Sequence, residues 1–203
     1  MSITLLEQVN KRYIEATSFH CNQANVFHYL ALGGFNALHE YQYICESLTQ
    51  RKIKRFIIST YHQLKPDEVI EDFKPQTQNK LRLDLTSTDV WQCVKNCFIE
   101  YRKWESSTLE YYESITKQLS GSGDIIGYDF VKTLAIEVHA ELTHLTDMIL
   151  GYNAIEWDLS QITDDQDTLL ERYRYLMSKI IPLYEAHHFN SDVSWEKRGI
   201  VDA

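Results

Sequence analysis

Glycine and proline are scarce, with 7 and 3 in 203 residues. Strand-rich folds spend both freely on their turns, so the deficit argues against a sandwich or a βαβ fold and for an all-α chain. Positive charge is also short. The 29 acidic side chains outnumber the 20 basic ones, giving a net charge of −9, which disfavours direct nucleic-acid binding and suits a soluble protein or one handling cations. Four cysteines without repeated CxxC spacing make neither a zinc ribbon nor a secreted disulfide framework. No apolar run is long enough to span a bilayer and no signal peptide is evident, so a cytoplasmic protein without a membrane partner is expected. The length suits one sizeable core, and the expected organisation is a single helical domain over 1–186 with a tail over 187–203.

What the chain does contain is long apolar seams at helical spacing. Over 87–119 the seam reads Trp91, Val94, Phe98, Tyr101, Glu105, Thr108, Tyr112, Ile115 and Leu119, stepping by three and four as the core face of a helix does. Glu105 interrupts it at mid-length. A carboxylate on a buried stripe needs a partner, a proton or a cation. A tyrosine or lysine on a neighbouring helix would serve, and so would a metal ion. The first helix, about 3–32, carries Leu6, Val9, Tyr13, Ala16, His20, Gln23, Phe27 and Leu30, again with polar groups at mid-length. Gly33-Gly34 supplies a reversal, and a second helix is expected from Asn36, a good N-cap, to about 64. Folding back around the glycine pair would set Glu46 near His20 and Cys45 near Cys21.

Residues 65–86 hold two of the three prolines and no sustained period, and so read as a long connection. Extended chain covers about 3.3 Å per residue, enough to cross a helix of ~45 Å. The third helix ends at Ser120-Gly121-Ser122-Gly123, and Asp124 can cap a fourth over about 125–150. That helix has a clean seam, Val131, Ala135, Val138, Leu142, Leu145 and Ile149, beside a mixed one, Phe130, Leu134, Glu137, Glu141, His144 and Met148. Glu141-Leu-Thr-His144 is an E-x-x-H, whose carboxylate and imidazole, three apart on a helix, can reach one ion. The glycine-rich reversal places Glu105 near His139, within a turn of Glu137 and Glu141. A loop over 151–165 around Trp157 and Asp158 precedes a fifth helix over about 165–186. Cys93 and Cys97, four apart, are either a soft-metal pair or simply packed.

A helical hairpin, a long crossover, a second hairpin and the run Tyr128-Asp129-Phe130-Val131 leading into Glu137–His144 resemble the ferritin-like superfamily over roughly residues 3–150. The resemblance implies a four-helix bundle with a long crossover between helices 2 and 3 and an additional C-terminal helix. It also implies iron in a dinuclear site, with Mn or Zn as other ions that carboxylates and imidazoles accept. In that family the ligands are a Glu on the first helix, an E-x-x-H on the second, a Glu on the third and a Glu, Gln or E-x-x-H on the fourth. By this pattern Glu105 takes the third-helix place and Glu137, Glu141 and His144 the fourth. Glu105 and Glu141 would bridge, with His144, His20 and Glu46 as terminal ligands. On the first helix His20 and Gln23 stand where the Glu would be, and Ser59-Thr60-Tyr61-His62 keeps the second-helix imidazole without its carboxylate. Phe27-His28 and Phe35-Asn36-Ala37-Leu38-His39-Glu40 resemble the mini-ferritins, whose histidines help bind iron between subunits. The implied function is iron binding, with Fe(II) oxidation or iron storage, in a homo-oligomer. Two further readings are a metal-free bundle acting as an interaction or structural protein, its carboxylates satisfied by tyrosines, and a helical diiron oxidase.

Overall fold

The computed structural model describes residues 2–63 and 87–189, with the side chains of 87–89 and 183–189 left out of that description. The expected crossover over 65–86 and the tail beyond 189 lie outside the described residues. Within them the chain forms five helices in the order α1 Ser2–Tyr29, α2 Gly33–Tyr61, α3 Ser87–Gly121, α4 Ile125–Ala154 and α5 Leu159–Phe189. None of the described helices is long and apolar enough to cross a membrane. The antiparallel hairpins α1/α2 and α3/α4 pack together into a bundle, and α5 lies along α2.

The seams read from sequence are the faces the bundle buries. Leu6, Val9, Tyr13, Ala16, His20, Gln23 and Phe27 of α1 are buried, as are Val94, Phe98, Tyr101, Glu105, Thr108, Tyr112, Ile115 and Leu119 of α3. On α4 the buried line is Val131, Leu134, Val138, Leu145, Ile149 and Tyr152, mixing the two seams expected there. The apolar interior of the four-helix bundle falls into two clusters, and a smaller third one, Ala37, Leu38 and Tyr173, seats α5 on α2. One gathers Phe27, Phe35, Phe98, Leu145 and Trp157 at the α1/α2 turn, and the other gathers Leu6, Val9, Ile53, Ile115, Leu119 and Leu134 at the opposite end.

The first reversal differs from expectation. The chain turns at Ala31, whose φ of 57° is left-handed, while Leu32 N–H donates to Phe27 O at 3.0 Å. Gly33 and Gly34 already belong to α2. Asn36 is thus inside the helix, donating to Glu40, and the N-cap position is Leu32, with no side-chain cap. Gly34 is there for a close approach. A Cβ on it would stand 2.6 Å from the Gln166 carbonyl oxygen and 2.8 Å from Leu169 Cβ, so only glycine lets α5 cross α2 at this point. In return Gln166 Oε1 accepts from Phe35 N–H at 3.1 Å, satisfying one of the first-turn donors that no cap serves.

The remaining ends follow local chemistry. Asp124 accepts from Gly127 N–H at the head of α4, as expected of an N-cap, and the Tyr61 hydroxyl donates to the same carboxylate at 2.6 Å, tying the end of α2 to the start of α4. The loop expected over 151–165 is much shorter. The chain turns through Glu156 and Trp157, both with positive φ, and Asp158 accepts from the N–H groups of Ser160 and Gln161. This capping starts α5 at Leu159, ahead of the seam that suggested residue 165.

Candidate metal centre

Between the two apolar clusters every helix of the bundle presents a polar side chain inward. α1 places His20 there, α2 His39 and Glu46, α3 Glu105 and α4 Glu141. His20 is 0 % exposed, His39 1 % and Glu105 2 %. Glu141 is partly exposed along its length, but its carboxyl group is enclosed. His20, Glu105 and Glu141 each offer a ligand atom, and these atoms lie within 4.8 Å of one another. The His20 Nε2 to Glu105 Oε1 distance is 4.0 Å. Ligands bonded to one ion at about 2.0–2.2 Å stand about 3.3–3.6 Å apart at tetrahedral angles, so closure needs side-chain movements on the order of 1 Å. His20 Nε2, Gln23 Oε1 and Glu46 Oε2 are among the buried polar atoms without a hydrogen-bond partner. Native interiors rarely leave such atoms unpaired.

The electrostatics are those of carboxyl groups crowded together and removed from water. Burial, then Glu141 and Glu46, raise the Glu105 carboxyl well above the ordinary range, against a smaller opposing effect of Arg12. Burial, then Glu141 and Glu137, do the same to Glu46. Glu141 is lifted by burial to about 7, although the hydrogen bond from Tyr101 opposes the rise. Burial and the neighbouring His39 hold His20 far below its usual value, and burial takes His39 down to about 3. Both imidazoles are therefore neutral at pH 7. Neutral imidazole and carboxylate are the donors Fe, Mn and Zn accept, so the residues present fit such an ion.

The other expected ligands are placed elsewhere. Glu137 is half exposed and pairs with Lys52 at 3.4 Å. His144 is exposed on the outer side of α4, with Arg172 and Asp147 as its charged neighbours. Glu141 sits at the edge of the buried stripe, and the step of three residues to His144 turns a further sixth of a revolution outward. The E-x-x-H therefore does not converge inward. His139, expected beside Glu105, is exposed and lines a surface groove with Leu109 and Glu113.

His20 opposes His39 rather than Glu46, their Nδ1 atoms 2.9 Å apart, because the chain turns at Ala31 and not at the glycine pair. Glu46 lies two turns along, near enough to raise Tyr13 and Tyr112. The tyrosine that donates to a carboxylate in this polar layer is Tyr101, and its partner is Glu141, not Glu105. Tyr101 was not read as part of a site, and His39 only through the likeness to mini-ferritins, whose histidines help bind iron between subunits; here it is buried inside the bundle. The available signal for His39 was the seven-residue repeat His39, Glu46 and Ile53 on α2.

An open pore ferritin from the hyperthermophilic archaeon Archaeoglobus fulgidus superposes on this chain with a TM-score of 0.67, covering 83% of this chain and 95% of that one at 15% sequence identity. The fold is ferritin-like. No protein-family model and no curated protein matches the chain. At 15% identity the likeness carries the path of the helices and not their side chains. His62, expected to hold the second-helix imidazole place, is the exposed C-cap residue of α2.

Proposed function

We propose that this ferritin-like protein binds iron at the centre of its bundle, through His20 Nε2, Glu105 and Glu141, with Glu46 placed to help hold a second ion. The observation that carries this reading is the convergence of one unpartnered imidazole nitrogen and two buried carboxylates from three helices. Iron is the substrate or cargo of such a site. Bound among oxygen donors, Fe(II) is open to oxidation by dioxygen or peroxide, which is the chemistry of a ferroxidase or an iron store. The residues supply the rest. Glu105 and Glu141 offset the ion's charge, and the apolar clusters on either side exclude bulk water. Association into a closed symmetric homo-oligomer, in a cytoplasm, completes the reading.

One observation favours a second reading. The Tyr101 hydroxyl already donates to Glu141, as expected of a metal-free structural bundle whose carboxylates are satisfied by tyrosines and protons. Thermal melts with and without Fe(II) under anaerobic conditions separate the two. An ion at a hundred times its Kd stabilises by about 2.7 kcal/mol, and His20→Ala and Glu105→Ala should each abolish that shift while the helices still form. A wild-type melt that does not move, with no bound metal by elemental analysis, contradicts iron binding and leaves the structural bundle.

A further inference from the structure

The contact between His20 and His39 joins like atoms, Nδ1 to Nδ1 at 2.9 Å, in a space where both rings are almost wholly buried. At that distance only one of the two Nδ1 atoms can carry a hydrogen, and the ring whose Nδ1 is bare carries its hydrogen on Nε2. One Nδ1 must donate and the other accept. The two rings therefore hold opposite tautomers at Nδ1, and the choice made by one dictates the other. If His39 Nδ1 carries the hydrogen, His20 carries its own on Nε2, pointing toward Glu105 across 4.0 Å, and has no lone pair for an ion. If His20 Nδ1 carries it, His20 Nε2 is a bare lone pair among the carboxylates, and His39 must be protonated on Nε2.

We propose that His39 is a positioning residue for the metal centre: its Nδ1 accepts a hydrogen bond from His20 Nδ1–H and thereby holds His20 in the tautomer that presents Nε2 to the ion. This rests on the metal-binding reading of His20, and assigns His39 a role beyond filling the core. Two features support positioning over packing alone. His20 Nε2 has no hydrogen-bond partner, so His39 is the partner that orients the ring by hydrogen bonding. His39 in turn is stacked on Phe27, with ring centroids 5.4 Å apart and planes 10° from parallel, which fixes the direction of its Nδ1. Partners of metal-bound imidazoles act in this way, fixing both tautomer and ring orientation.

The test uses Zn(II), which suits the same donors and is diamagnetic. Nitrogen-15 NMR of the Zn(II)-loaded protein should show hydrogen on His20 Nδ1 and on His39 Nε2. His39→Leu, which fills the space and removes the acceptor, should weaken Zn(II) binding about 10- to 100-fold. His39→Asn, whose side-chain oxygen offers an acceptor close to the place of Nδ1, should recover most of that loss. Circular dichroism and melting of the metal-free variants establish that the bundle is intact. Hydrogen on His39 Nδ1 in the loaded protein, or a folded His39→Leu variant that binds Zn(II) as tightly as wild type, overturns the role of His39 and leaves the metal centre standing. Wild-type protein that binds neither Zn(II) nor Fe(II) overturns both.

Discussion

The two apolar clusters and the polar belt between them share the four bundle helices, with Trp157 and Ile162 added to one cluster from beyond α4, yet they hold together for different reasons. In the clusters, Phe98, Phe35 and Trp157 at one end and Leu119, Leu134 and Ile57 at the other are fully buried, and removing their area from water stabilises the fold. In the belt Glu46, Glu105 and Glu141 all have raised pKa values. Burial there works against the charged forms, so at neutral pH these residues cost the metal-free fold stability. An ion bound there, as proposed, would offset that cost. The clusters set the belt's depth and separate it from solvent.

The sharpest way to break that comparison is to truncate one member of each region. Phe98→Ala should destabilise by about 3–5 kcal/mol, the usual cost of emptying a buried aromatic site. Glu105→Gln should leave the metal-free protein as stable as wild type or more so, because it removes a buried carboxylate, while abolishing the metal-induced rise in melting temperature. Chemical denaturation of both variants without metal checks this. An equal loss in the two would mean that Glu105 is part of the packing.

A second effect is the response of the belt to pH. The folded-state value of Glu141, about 7, lies above its ordinary 4.5. Its contribution is therefore fully present below about pH 4.5 and is lost as pH rises through 7. At 1.36 kcal/mol per unit this amounts to about 3 kcal/mol. His39 has the opposite sign. Its folded value of about 3 lies below the ordinary 6.5, so its contribution is present above pH 6.5 and is lost as pH falls toward 3. Urea melts of metal-free Glu141→Gln from pH 5 to 8 should show a flatter alkaline limb than wild type, with the acid limb retained. A wild-type alkaline limb in the variant would place the titrating group elsewhere.

Smaller effects sharpen the contrast between interior and rim. Gln166→Ala should cost about 1–2 kcal/mol by leaving the Phe35 N–H without its acceptor, detectable as earlier hydrogen exchange at the head of α2. Lys52→Ala removes a surface ion pair whose side chains are 50% and 51% exposed, and the change in stability should stay within about 0.5 kcal/mol. Glu137→Gln should leave metal affinity unchanged. A large loss of affinity there would extend the centre outward along α4.

The α1 and α3 seams were legible in the sequence because helical spacing is local, and His20 and Glu105 stood out as polar interruptions of otherwise apolar lines. The α4 face was less legible. That helix carries apolar residues on several sides, including Ile125 and Ile136, which are 71% and 60% exposed, so two seams competed and Glu137 and His144 looked equivalent to Glu141. The start of α5 was hidden because Asp158 and Trp157 act through backbone geometry and capping, which carry no periodic signal.

By itself, then, the sequence determined that the chain is helical, where most of its helices run, and which interruptions need partners, since all three depend on residues within a few turns of each other. Which interruptions meet was decided only by tertiary structure. Pairing across a hairpin depends on where the chain reverses. Moving that point from Gly33-Gly34 to Ala31 exchanged Glu46 for His39 as the neighbour of His20. Selection within α4 depends on how far that helix is rotated about its axis. Packing against α3 turned Glu141 toward Tyr101 and left Glu137 with Lys52, because a helix can bury only the side that its neighbours cover.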